Sequence, residues 1–157
     1  MKITNKPNTA LIETLKTLNK KKLNVGWFES SKYEDGMPVA QVAIMNEFGS
    51  VAKNKPPRPF MRNAISDNEN RWSKTANQVS KNILKGQSIE TGLNLLGVVV
   101  ESDVKKSIVD ITSPALAQST INARKSRVAK GRKIQATIEK PLIDTGYMLA
   151  TLTSEVK

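Results

Sequence analysis

Residues able to do covalent or acid-base chemistry are few and scattered in this chain of 157 residues, which holds no histidine and no cysteine. A metal would therefore need clustered carboxylates, and a serine nucleophile would need a lysine as its base. Glu34-Asp35 and Glu101-Ser-Asp103 are too local to be more than surface charge. No serine lies in a glycine-rich elbow, and the eight glycines form no phosphate-cradling pattern. Asp144-Thr-Gly146 also occurs in aspartic proteases, where two such motifs on β-lobes bring paired carboxylates around a water. A single copy leading into a helical pattern reads as a capping turn, with Asp144 as N-cap. The sequence predicts no enzyme, no bound metal, no cofactor and no small-molecule substrate.

Binding chemistry is better represented. Lysine and arginine number 25 against 14 acids, a formal charge of +11, which favours an acidic partner surface. Seven basic residues (Arg124, Lys125, Arg127, Lys130, Arg132, Lys133 and Lys140) face one acid, Glu139, over a stretch without clear periodicity. An exposed, flexible basic arm is expected at about 123–140, with Arg124, Lys125, Arg127, Lys130, Arg132 and Lys133 as its DNA-facing candidates. No aromatic lies between Leu116 and Ile143, so such binding would be independent of base sequence and steeply salt-dependent. Removal of Ala123–Lys133 is expected to spare the fold and impair assembly.

The residues best suited to docking lie between Val42 and Arg62. Phe48 and Phe60 flank a polar loop, Ser50–Lys55, and Pro56, Pro57 and Pro59 stiffen its return. Two readings stay open for Phe48, Phe60, Arg58 and Arg62. In one they pack internally, with Arg58 paired to Glu47. In the other the segment is a rigid bracket that uses Phe48 and Phe60 as inner anchors and holds the loop toward a partner, so that Arg58→Ala would weaken assembly at little loss of stability.

The elements that must position these residues follow from periodicity. Leu11, Ile12, Leu15 and Leu18 behind a capping Asn8 or Thr9 predict a first helix, ending in three lysines. Leu23, Val25 and Trp27 alternate through Leu23–Ser30 as a strand. Val39–Phe48 returns to helical spacing, with Gly49 placed for a C-terminal cap. Helices over Phe60–Leu84 and Ile89–Ile111, joined by a short turn, predict a long antiparallel pair. Apolar Leu95–Val100 covers more than one face of the second, which is expected to lie between a sheet and a helix. That run is too short to span a bilayer, and Met1–Pro7 lacks an apolar signal region, so no membrane partner or general secretory export is expected. Absence of cysteine suits a reducing cytoplasm. A short helix within Ala115–Val128, another over Thr145–Ala150 and a strand over Thr151–Val156 complete one α+β domain spanning 1–157.

Two stretches carry a family resemblance. Val42-Ala-Ile-Met-Asn-Glu-Phe-Gly-Ser, followed after a short polar loop by Pro57-Arg-Pro-Phe-Met-Arg, resembles a signature of tailed-bacteriophage neck and tail-completion proteins. Leu116–Arg124, followed by Pro141-Leu-Ile-Asp-Thr-Gly-Tyr-Met-Leu, resembles the same family's ending. The resemblance implies a structural subunit of a virion neck, assembled in the bacterial host cytoplasm, forming a ring, expected as a hexamer, between the head and the tail tube. It implies a small antiparallel sheet flanked by helices. It also implies contacts with other copies and with neck, connector or tail-tube proteins through Glu47, Phe48, Gly49, Ser50, Arg58, Pro59, Phe60, Arg62, Asp144 and Gly146, and non-specific DNA contact in a lumen. Relatives often continue with another strand beyond the position of Lys157, so the sheet is expected to be incomplete or closed by a neighbouring subunit. The alternative function is a sequence-independent nucleic-acid-binding protein that uses the basic arm.

Overall fold

The computed structural model describes residues 8–157; the reading of Met1–Pro7 lies outside them. Six helices and two strands follow in the order α1 (Thr9–Lys20), β1 (Leu23–Gly26), α2 (Val39–Phe48), α3 (Phe60–Leu84), α4 (Ile89–Asp110), α5 (Gln118–Ala129), α6 (Tyr147–Ala150) and β2 (Thr153–Val156). The class is α+β: a small antiparallel sheet flanked by helices, with α3 and α4 as its long antiparallel pair.

The pair turns at Gly86, whose φ of 105° suits glycine, and Ser88 then caps α4. Gly92 lets the helices close: a Cβ there would lie 2.9 Å from the Val79 side chain. Further along, Trp72 Nε1 donates to Asp103 Oδ2 at 2.6 Å, and Arg71 pairs with the same carboxylate. Asp103 is therefore an interhelical strut and not the surface charge its local spacing suggested. Ser107 donates to the Phe60 carbonyl at 2.7 Å, tying the last turns of α4 to the start of α3.

α4 also lies on the sheet, as its two-faced apolar pattern predicts. The helix approaches at Gly97, where a Cβ would meet the Ser154 side chain and lie 3.2 Å from Leu23 Cδ1. β1 and β2 pair antiparallel in the register Leu23↔Val156 through Gly26↔Thr153. Both are shorter than predicted. The chain leaves β1 at Gly26, and Trp27 turns inward to donate to the Met148 carbonyl at 2.8 Å and meet Phe60 edge-on, with centroids 5.9 Å apart.

The core gathers Val39 and Ala43 of α2, Phe60 and Ala64 of α3, Val104 and Ile108 of α4, and Ile111, Ile143, Met148 and Leu152. α1 forms as expected behind Asn8, whose side chain accepts from the Leu11 N–H at 3.2 Å. Its apolar stripe is another matter: α1 buries no residue, and Leu11, Ile12 and Leu15 remain exposed.

Candidate functional site

The Val42–Arg62 segment divides into an inward and an outward half. On the inward side, the Arg58 N–H donates to the Asn46 carbonyl at 2.8 Å. The Arg58 guanidinium then crosses the molecule to the carbonyls of Pro114 and Ala115, at 2.9 Å each. Only 5% of the residue is exposed. Arg58 does not take Glu47 as its partner, because its fork is filled by the Pro114 and Ala115 carbonyls, which accept from no other described residue. Burial lowers its pKa, and the charge of Arg124 lowers it further; an arginine still keeps its proton.

Arg124 is the second internal lock. Its Nη1 donates to the carbonyls of Ile138 and Lys140 at 3.0 and 2.7 Å, and 6% of the residue is exposed. Burial lowers this guanidinium's pKa while Asp144 raises it. Asp144 stands 3.7 Å from Arg124 Nε and 2.6 Å from Arg127. Three expectations change here. The stretch around 123–140 begins as helix α5, and Arg124 staples its far end, so the segment is not a free arm. Arg124 faces carbonyls, not DNA. Asp144 is an ion-pair partner, and Gly146, left-handed at φ 77°, takes the N-cap place of α6. Gly146 is itself buried, against the Gln135 side chain.

Between the halves stands Glu47, 5% exposed. Its carboxylate accepts the N–H groups of Met61 and Arg62 at 2.8 and 3.2 Å, and Arg62 Nε at 2.8 Å. Arg62 Nη2 adds a bond to the Glu47 carbonyl at 3.0 Å. Pro59 offers α3 no side-chain cap, so a carboxylate from α2 satisfies the free N–H groups and the positive end of the helix dipole.

The outward half starts at Phe48, whose ring lies under the Arg62 guanidinium at 5.0 Å. Phe60 is a core residue, 1% exposed, while Phe48 is 64% exposed; the pairing of the two as inner anchors holds only for Phe60. Gly49 follows with φ 76°, and a Cβ there would lie 2.7 Å from the Lys55 carbonyl oxygen, so the chain can double back only at glycine. Ser50 and Lys55 exchange both backbone hydrogen bonds at 2.9 Å, which makes the expected polar loop a closed hairpin. At its tip Val51 is fully exposed. Ile44, one turn before Phe48, and Ile65, one turn after Arg62, add exposed apolar side chains to this flank.

Sequence reasoning passed over Ile44 and Val51. Ile44 and Phe48 are four residues apart, a second stripe on α2 beside the core stripe of Val39 and Ala43, and that spacing was readable. Val51 sits among polar residues and gave no signal. Of the six DNA-facing candidates, Lys125, Lys130, Arg132 and Lys133 are each exposed, in the second half of α5 and just beyond it, whereas Arg127 is held by Asp144.

Among the described residues no group of three or more His, Cys, Asp or Glu is placed to hold a metal ion, and no helix is long and apolar enough to cross a membrane. Comparison of the chain with protein-family models, curated proteins and solved structures finds no match.

Proposed function

We propose that this chain is a non-enzymatic structural subunit of a tailed-phage neck, a head-tail joining or tail-completion protein that assembles as a ring with DNA passing through it. The observation that carries the reading is the outward half of the site. A closed hairpin with Val51 bare at its tip, flanked by Ile44 and Phe48, is mounted on the Glu47–Arg62 and Arg58 bonds. A preformed protrusion that bares Val51 beside exposed lysines loses little entropy on docking, and exposed apolar side chains such as Ile44 and Phe48 suit a partner surface. The protrusion belongs to the segment whose residues resemble the neck family. Copies of the same chain, then a connector or tail-tube protein, are its partners, and the virion is its place.

Light scattering on the eluting protein, with negative-stain images in the presence of a tail-tube protein, tests this. A discrete ring, lost in Phe48→Asp while the far-UV spectrum and melting transition persist, is the expected result. A strict monomer that joins no virion component would overturn it.

The exposure of Lys125, Lys130, Arg132 and Lys133 favours a second role, sequence-independent contact with DNA. Four exposed cations, unpaired among the described residues, would release roughly four counterions, so the logarithm of duplex affinity should fall with log salt at a slope near −4. Binding that ignores salt would remove this role and leave the ring.

A further inference from the structure

The sheet has more hydrogen-bonding capacity than the described residues of one chain use. Lys22 and Lys157 exchange both backbone bonds, at 2.7 and 2.9 Å, which fixes the phase of the ladder. In an antiparallel pair such exchanged bonds occur at every second position. Asn24↔Glu155 and Gly26↔Thr153 are therefore the other bonded pairs, and Leu23↔Val156 and Val25↔Ser154 are the non-bonded ones. It follows that the N–H and C=O groups of Leu23 and Val25 point out from the free edge of β1, and those of Ser154 and Val156 from the free edge of β2. None of these groups hydrogen-bonds to another described residue. The sheet holds two strands, and all four residues are half-buried, which limits their access to water.

We propose that the free β2 edge of one copy pairs with the free β1 edge of the next, so that the ring is closed by one continuous antiparallel sheet. This rests on the self-assembly reading above and specifies its seam. The two edges are different surfaces of one chain, so the contact is head-to-tail and repeats around an axis, as a ring requires. Strand directions alternate correctly, since each β1 then lies between two antiparallel β2 strands.

Charge distinguishes the registers: within the chain Lys22 already stands opposite Lys157, and Glu155 is the carboxylate that pairs with Lys157. Repeating the register found within the chain would set Lys157 opposite Lys22 of the next copy, a like-charge pair. Shifting by two residues sets Ser154 opposite Leu23 of the next copy, and Glu155 then faces Lys22 of that copy. Opposed unlike charges on the same face of a sheet attract, and like charges directly opposite repel. Glu155 and Lys22 also form a non-bonded pair across the seam, the kind in which side chains approach most closely.

Because the chain has no cysteine, single substitutions report cleanly. Two proteins, Lys22→Cys and Glu155→Cys, are mixed, reassembled and oxidised, then resolved without reductant. A disulfide-linked dimer in the mixture and none in either protein alone is expected; the mixture excludes bridges within one chain. Val156→Pro removes an outward N–H that the fold itself leaves unused, and it should abolish the ring while the melting transition of the subunit stays. Thr153→Pro, which deletes an inward N–H, should instead lower that transition. Rings that form without the crosslink and with Val156→Pro intact would overturn the seam and leave the ring reading standing. A wild-type chain that stays monomeric would overturn both.

Discussion

Phe48 and Phe60 flank the same six-residue hairpin, yet one is 64% and the other 1% exposed. The difference lies in what Arg58 and Arg62 do. Arg58 leaves the hairpin inward and spends its fork on the carbonyls of Pro114 and Ala115, drawing the start of α3 and Phe60 into the core. Arg62 turns outward, fixes its Nε on Glu47 and holds its guanidinium over Phe48. α5 repeats the contrast between neighbours: Arg124 is buried against carbonyls and Lys125 is exposed. A stretch read as one docking device is thus two devices back to back, an internal lock and an external face, and each can be broken without the other.

The lock should give the largest stability losses. Phe60→Ala empties a fully buried site beside Trp27 and is expected to lower unfolding free energy by about 3–5 kcal/mol in denaturant titrations. Arg58→Ala leaves two carbonyls without their donors and should cost about 1.5–3 kcal/mol, the range of hydrogen bonds to a charged group. That departs from the docking reading of the segment, in which Arg58→Ala would weaken assembly at little loss of stability, and it agrees with the internal reading except that Arg58 takes carbonyls and not Glu47. A stable Arg58→Ala protein that fails only in ring formation would merge the two devices again. On the outward side Phe48→Ala should change stability by at most about 1 kcal/mol, as exposed substitutions do, while the oligomer weakens at least tenfold. Equal losses in both measurements would place Phe48 with the lock.

Much of this architecture was legible because it depends on local rules. Helical spacing gave α1, α2 and the α3–α4 pair close to their observed ends, and Pro59 and Gly49 marked the hairpin's borders. The apolar run Leu95–Val100 correctly implied a helix with two covered sides, although Leu95 and Val98 stay exposed. What failed was long-range. Whether Arg124 meets solvent or the carbonyls of Ile138 and Lys140 depends on a return of the chain that no period announces. A run of basic residues looks alike in either case. Asp144 looked like an N-cap from its turn context, but Arg127, seventeen positions back, competes for its carboxylate. The exposure of α1's leucines was likewise invisible, since amphipathic spacing says which side is apolar and not what covers it.

A final and smaller effect separates the two halves by pH. Tyr33 sits on the inward side, its ring 5.2 Å from that of Tyr147. Burial raises its pKa above the ordinary value of 10.0, and Tyr147, Asp144 and Asp35 add to the rise. A raised pKa means the folded state holds the proton more tightly than the unfolded chain. The resulting stability is fully present below the unfolded value near 10 and is lost as pH climbs through the folded value. Thermal melts from pH 8 upward should therefore fall more steeply above pH 10 in the wild-type chain than in Tyr33→Phe. Phe48→Ala, altering only the outward face, should keep the wild-type slope. If Tyr33→Phe and wild type decline in parallel, the phenol is not held in the inward half, and the boundary between lock and face must be moved.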